Sequence, residues 1–165
     1  MPKYRLLTEE ELKELQGVFV NFLAAKSIQV DEWEKIKKHD KEKLNALIEE
    51  FSDVVFEKTL SNVKLMEKRE PHKYLMYSID DDEIKLLGIE IKGDTKLDFT
   101  KGFSIKDIYD LFEKDNETEV SFIIGHKPYF EDKNKEIFDL MQRGIEISQN
   151  EELYRIFKEL KDNYE

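Results

Sequence analysis

His39, His72 and His126 are the side chains best suited to proton transfer or metal binding near neutral pH, and each stands alone in the sequence. A zinc-peptidase helix needs two histidines one turn apart, and no His-x-x-x-His or His-Glu-x-x-His is present. Asp80-Asp81-Asp82-Glu83 gathers four carboxylates. A hard cation wants several oxygens, but a calcium loop alternates its acids and adds a glycine and a distant Glu. Adjacent acids cannot all point at one ion, so a solvated hairpin turn is the favoured reading. Ser52, Ser78, Ser121 and Ser148 lack the Gly-x-Ser-x-Gly frame of a nucleophile elbow. Lys101-Gly102-Phe103-Ser104 is a one-glycine echo of a phosphate loop. The chain has no cysteine, which excludes thiol nucleophiles, thiolate zinc and iron–sulfur chemistry.

Residues suited to binding are easier to find. Lys64, Lys68, Arg69, His72 and Lys73 form the one local basic cluster, followed by Tyr74 and Tyr77. A basic strand with aromatics can hold single-stranded nucleic acid. An edge strand guarded by Lys and Arg explains it more simply. Trp33, the sole tryptophan, lies in a short charged helix. It suits a binding hot spot, or a clamp that with Ile36 holds that helix to its neighbours. His126 follows a strongly apolar strand, beside Gly125 and before Lys127-Pro128-Tyr129. Asp53 sits inside the apolar run Phe51–Phe56 and needs a partner if that run is buried. Trp33, Lys64, Lys68, Arg69, His72 and His126 are the candidate partner-binding residues. No catalytic residue, metal ligand or cofactor is assigned.

The elements that must position these residues follow from pattern. In 165 residues there are 11 Phe, 7 Tyr and 1 Trp, enough to anchor a core, so whole-chain disorder is not expected. Thr8-Glu9-Glu10-Glu11 is a capping box, and Leu12, Leu15, Phe19, Phe22 and Leu23 recur at helical spacing. Gly17 inside this run costs about 1 kcal/mol relative to Ala and leaves room for a close helix contact. Asp31 and Asp40 read as caps of the next two helices, the second carrying Leu44, Leu47, Ile48, Phe51, Val54 and Val55. Phe51–Phe56 is apolar enough to be buried on two sides.

From Val63 the period changes. Tyr74–Ile79 and Ile84–Lys92 form a hairpin around the acidic turn, with a bulge at Leu86-Leu87-Gly88 where the alternation slips. Lys96–Phe99 is a short strand and Ser104 caps a helix. Glu119–Gly125 is the best single strand, Lys133–Arg143 is a helix, and Ser148 with Glu151 caps the last one. The predicted fold is α+β: N-terminal helices, then a small antiparallel or mixed sheet with packed C-terminal helices. It is read as one domain over 1–165, with 1–62 helical and 63–165 carrying the sheet.

Net charge is −11, divided as −3 over residues 1–62 and −8 over 63–165. This argues against general DNA binding, which needs clustered cations. No leader sequence or long apolar run is read, so a cytoplasmic protein without a membrane partner is expected.

Lys3-Tyr4-Arg5-Leu6-Leu7-Thr8, Phe51-Ser52-Asp53-Val54-Val55-Phe56-Glu57 and Val63-Lys64-Leu65-Met66-Glu67 together resemble a family of small uncharacterised cytoplasmic bacterial proteins, a domain of unknown function. The resemblance covers most of the chain and is strongest over 3–70. It implies no catalytic residue. Such proteins sometimes carry the name histidyl-tRNA synthetase, which these residues do not support. The chain is too short for a class II synthetase core, and that enzyme's arginine-bearing motifs have no counterpart here.

The leading functional expectation is a protein-binding adaptor or regulatory module. The alternatives are an acidic inhibitor or immunity-type protein for a basic partner, an enzyme whose site is assembled from distant residues, and RNA binding through Lys64–Lys73.

Overall fold

A computed structural model describes residues 1–113 and 118–164. The chain divides into two compact units, Met1–Asn62 and Val63–Glu165, at the boundary where the sequence period changes. The first is all helical and the second carries the sheet, giving the α+β class that the pattern predicts.

The helical unit contains α1 (Glu9–Glu14), α2 (Gln16–Ala25), α3 (Val30–His39) and α4 (Lys41–Ser61). The capping box forms as read: Thr8 Oγ1 accepts from the Glu11 amide and Glu11 accepts from the Thr8 amide. The single helix expected over the next seventeen residues is broken at Leu15, which leaves helical geometry and both ends α1 and begins α2. A Cβ at Gly17 would meet nothing within 4 Å, so the close contact expected there is not made. Asp40 caps α4 through Lys43 N as predicted. Asp31 does not cap α3: Gln29 holds that position without a side-chain bond, and Asp31 lies in the first turn. There its charge still suits the helix dipole.

Helix α4 buries Leu47, Phe51, Ser52, Phe56 and Leu60, whereas Val54 is exposed, so one stripe rather than the whole Phe51–Phe56 run is covered. The segment before α1 crosses this helix. Leu7 N donates to the buried Ser52 Oγ (3.0 Å), and Lys3 N gives Asp53 Oδ1 the partner it needs (2.8 Å). Tyr4 OH donates to Glu57 Oε1 (2.6 Å).

Helix α2 ends on Ser27 with φ +61°. Ser27 N bonds Ala24 O and Ile28 N bonds Leu23 O, both at 2.9 Å, which is a Schellman turn. It folds Ile28 back onto the small core of Leu23, Ile36 and Leu47.

In the second unit β1 (Leu65–Glu70), β2 (Lys73–Ile79), β3 (Glu83–Lys92) and β4 (Glu119–Pro128) form an antiparallel meander, with α5 (Ile105–Asp110) inserted before β4. Helix α6 (Lys133–Gln142), the two-residue β5 (Glu146–Ile147) and α7 (Glu151–Tyr164) follow, and the sheet order is β4-β3-β2-β1-β5. Alternation puts Leu65, Tyr74, Met76, Leu87, Ile89 and Ile91 on one face, where α7 adds Leu153, Ile156, Phe157 and Leu160. Each such fully buried side chain contributes about 1.5–3 kcal/mol. The Tyr74 ring meets Phe99, Phe103 and Phe157 edge-on with centroids 5.5–5.8 Å apart.

The hairpin and its acidic turn are as predicted, and three local expectations are corrected. No bulge interrupts β3: its register with β2 and β4 is unbroken through Leu86, Leu87 and Gly88. A Cβ on Gly88 would lie 2.7 Å from Tyr74 O, so the slip in alternation marks a close backbone approach instead. Lys96–Phe99 is not a strand. Phe99 is buried as a core plug, and its amide donates to Pro71 O. The first strand of the meander, β1, is built from the charged stretch ahead of the hairpin. Last, Ser148 does not cap α7. Asn150 Oδ1 accepts from Leu153 N (3.1 Å), while Ser148 Oγ donates to Glu67 Oε1 (2.6 Å).

Candidate functional site

Helices α1, α2 and α3 leave an open groove of about 1040 Å³ between them. Its walls are apolar, with Phe19, Val20, Leu23, Ile28, Val30 and Trp33 among the lining residues. Local sequence explains why it exists. Leu15–Ala25 is an eleven-residue stretch without a charge, in a chain of which 39% is charged. Helix α2 can therefore present apolar side chains both to the core and outward. Leu23 goes inward and is buried, while Val20 stays 57% and Val30 75% exposed.

Trp33 joins the two readings made of it. Its ring is half-buried against Phe19, edge-on at 5.2 Å, so it clamps α3, and the same ring lines the groove. Lys37 Nζ lies 5.7 Å from the ring centroid and 3.0 Å from Glu34. Among the described residues Lys13 and Lys37 are the only charged side chains lining the groove. The rim thus carries two lysines, Lys37 with its charge shared by Glu34, in a chain of net charge −11.

The other candidates lie in the sheet unit. Lys68 falls on the face of the sheet opposite α7, together with Lys73, while Arg69 falls on the α7 face. Lys73 pairs with Glu90 (3.2 Å) and Glu70 (3.7 Å), which raises its pKa, Glu90 most of all. Arg69 Nε is held by Glu67 Oε2 at 2.9 Å. Lys64 precedes β1 and His72 sits in the β1–β2 turn. The basic cluster is therefore split between two faces, with two of its cations neutralised by neighbours, and it does not form one surface.

Glu67 is a buried carboxylate held by several partners. It is 8% exposed and accepts from Tyr74 OH (2.7 Å), Ser148 Oγ (2.6 Å) and Arg69 Nε. Burial, then the bond to Glu67, pushes the Tyr74 phenol well above its usual range. These three donors fill most of its acceptor positions, so this cluster ties β1 and β2 to the segment that leads into α7.

His126 lies in β4 opposite Lys85, with Nδ1 3.3 Å from Glu83 Oε2. Both line a cleft of about 320 Å³ beside Tyr154, Lys158 and Lys161 of α7. The imidazole is 73% exposed, unshielded from water. By register His126 and His72 stand at opposite ends of the sheet. Among the described residues no three His, Asp or Glu side chains converge as metal ligands. In the acidic turn Asp80 accepts from Ser78 Oγ (2.9 Å) and pairs with Lys85, and Asp81 pairs with Lys133. Among the described residues no helix is long and apolar enough to cross a membrane.

A family of unknown function, DUF6495, matches residues 1–162. The chain belongs to that family. This agrees with the resemblance read from Lys3–Thr8, Phe51–Glu57 and Val63–Glu67. No curated protein and no solved structure matches the chain. Membership in the DUF6495 family carries no activity, so the function must be argued from the groove and its chemistry.

The groove was missed in the sequence, although a signal for it exists. The uncharged stretch Leu15–Ala25 is more apolar than a helix with one covered face requires.

Proposed function

We propose that the protein is a cytoplasmic protein-binding adaptor whose helical unit seats an amphipathic helix of a partner protein. The carrying observation is the open, aromatic-walled groove between α1–α2 and α3, rimmed by Lys13 and Lys37. Its apolar wall calls for a partner helix with large apolar side chains at i, i+3, i+4 and i+7. Its basic rim calls for Asp or Glu on the flanks of that helix. The lack of cysteine is compatible with a reducing compartment.

The test uses the sole tryptophan as reporter. A designed helical peptide with a Leu face and Glu flanks is titrated into the full chain while Trp33 fluorescence is read. The peptide should shift the emission to the blue and quench or enhance it saturably. The same peptide with Lys flanks should bind at least about tenfold more weakly. Val20→Asp, at an exposed position, should abolish the response without unfolding the protein. Equal binding of both peptides, or no response to either, would overturn the reading.

A further inference from the structure

The two edges of the sheet are finished in opposite ways. At one edge the two-residue β5 covers Met66 and Glu67, Ser148 N donates to Leu65 O, and the rest of β1 is Lys68, Arg69 and Glu70. Charges and a short terminal strand are how proteins keep an edge from pairing with other chains. The β4 edge has none of these devices in its middle. Strand β4 is ten residues long, its register with β3 is unbroken, and it has no bulge. Val120–Gly125 carries no charge, and the one proline, Pro128, is at the end. Among the described residues no strand pairs with its outer side. No residue of β4 is fully buried, and Ile124 is 49% exposed.

The sequence of β4 is complementary to itself in one antiparallel register. With Ile123 opposite Ile123 of a second copy, Glu119 falls opposite Lys127 at both ends, and Phe122 falls opposite Ile124 twice. Opposite charges and aromatic–aliphatic pairs are the favourable cross-strand combinations. A two-fold at Phe122 or at Ile124 loses both charge pairs. The parity also keeps the α7-covered face on the same side in both copies, since Phe122 and Ile124 share it.

We propose that two copies of this chain associate edge to edge through β4, about a two-fold axis at Ile123, into one continuous antiparallel sheet. Such an isologous contact closes on itself and leaves no free β4 edge for further growth. The interface is small, so dissociation falls in the micromolar range, roughly 1–100 µM. This association is independent of the groove in the helical unit.

Sedimentation of the intact chain from about 1 to 300 µM should show a monomer–dimer equilibrium. Glu119→Lys places lysine opposite Lys127 twice and should weaken the dimer about tenfold or more. Glu119→Lys with Lys127→Glu restores the opposite charges in the dimer and should recover most of that loss. Within one chain the double change is unfavourable, because residue 119 pairs with Lys92 and Lys127 with Glu136 (3.5 Å). Recovery of the dimer therefore cannot come from a better-folded monomer. Ile123→Cys supplies the chain's single thiol, and opposed strands bring the two Cα atoms to about 4.5–5.5 Å, within disulfide reach. Mild oxidation should cross-link this variant, whereas Lys92→Cys should stay monomeric in a denaturing gel. A chain monomeric at the highest concentration, or a dimer indifferent to Glu119→Lys and uncross-linked at 123, would overturn the proposal.

Discussion

The Trp33 ring packs edge-on against Phe19 at 5.2 Å, and both rings also line the open groove of the helical unit. Stability and the proposed peptide binding thus share one contact, and two substitutions separate them. Trp33→Ala should lower the stability of the helical unit by about 2–3 kcal/mol in denaturant unfolding, because the half-buried ring clamps α3. Val20→Asp should change stability by only about 0.5 kcal/mol and still lose the peptide response.

Ser27 and Gly144 occupy the same place in two Schellman turns, at φ +61° and +89°. Serine is strained there and glycine is not. Ser27→Gly should therefore stabilise the protein by about 0.5–1 kcal/mol. Gly144→Ala should cost about 1 kcal/mol, although a Cβ there meets nothing within 4 Å. Thermal unfolding of the two variants should shift in opposite directions.

Gly88 answers to space, not to backbone angle. Its α-hydrogen faces Tyr74 O and Leu75, where a Cβ would come within 2.7 Å of each. Gly88→Ala should cost about 2 kcal/mol or more by prying β2 from β3, with urea unfolding as the check.

The Glu67 cluster predicts a strong coupling. Ser148→Ala should cost about 1–2 kcal/mol and Glu67→Gln about 2–3 kcal/mol, since the latter leaves Arg69 and two hydroxyls poorly matched. The double variant should cost less than the sum, read as a double-mutant cycle in denaturant.

Two pH dependences follow from local bonding. Arg5 first, then the Thr8 amide, holds the Glu11 carboxyl down to about 2 from an ordinary 4.5. A depressed folded pKa stabilises the fold above about 4.5, and that contribution is lost as pH falls towards about 2. Arg5→Ala should move the Glu11 carbon titration in NMR back towards 4.5. Burial, foremost, raises Tyr4 and Tyr129 to about 12 from 10.0. Their contribution is complete below about 10 and is lost as pH rises towards 12, so both phenols should ionise late in absorbance at 295 nm.

The sequence by itself determined what depends on neighbours within a few residues. The Thr8–Glu11 capping box, the Ser104 and Asp40 caps and the Asp80–Glu83 hairpin turn depend on near residues, and each formed where it was read. Several of the readings that changed did so where distant residues pack or bond. Ser148, whose hydroxyl donates to Glu67 81 residues away, stands two residues before the helix cap, which Asn150 supplies. Leu86-Leu87-Gly88 looked bulged because Tyr74 and Leu75 press on Gly88 from the next strand. Lys68 and Arg69 read as one patch until pairing with β2 sent them to opposite faces. Only the tertiary structure decided that α2 keeps apolar side chains outward beside Trp33, and that among the described residues β4 is the last strand of its sheet. Exposure of an apolar group is set by what the rest of the chain brings to cover it, and no local pattern carries that quantity.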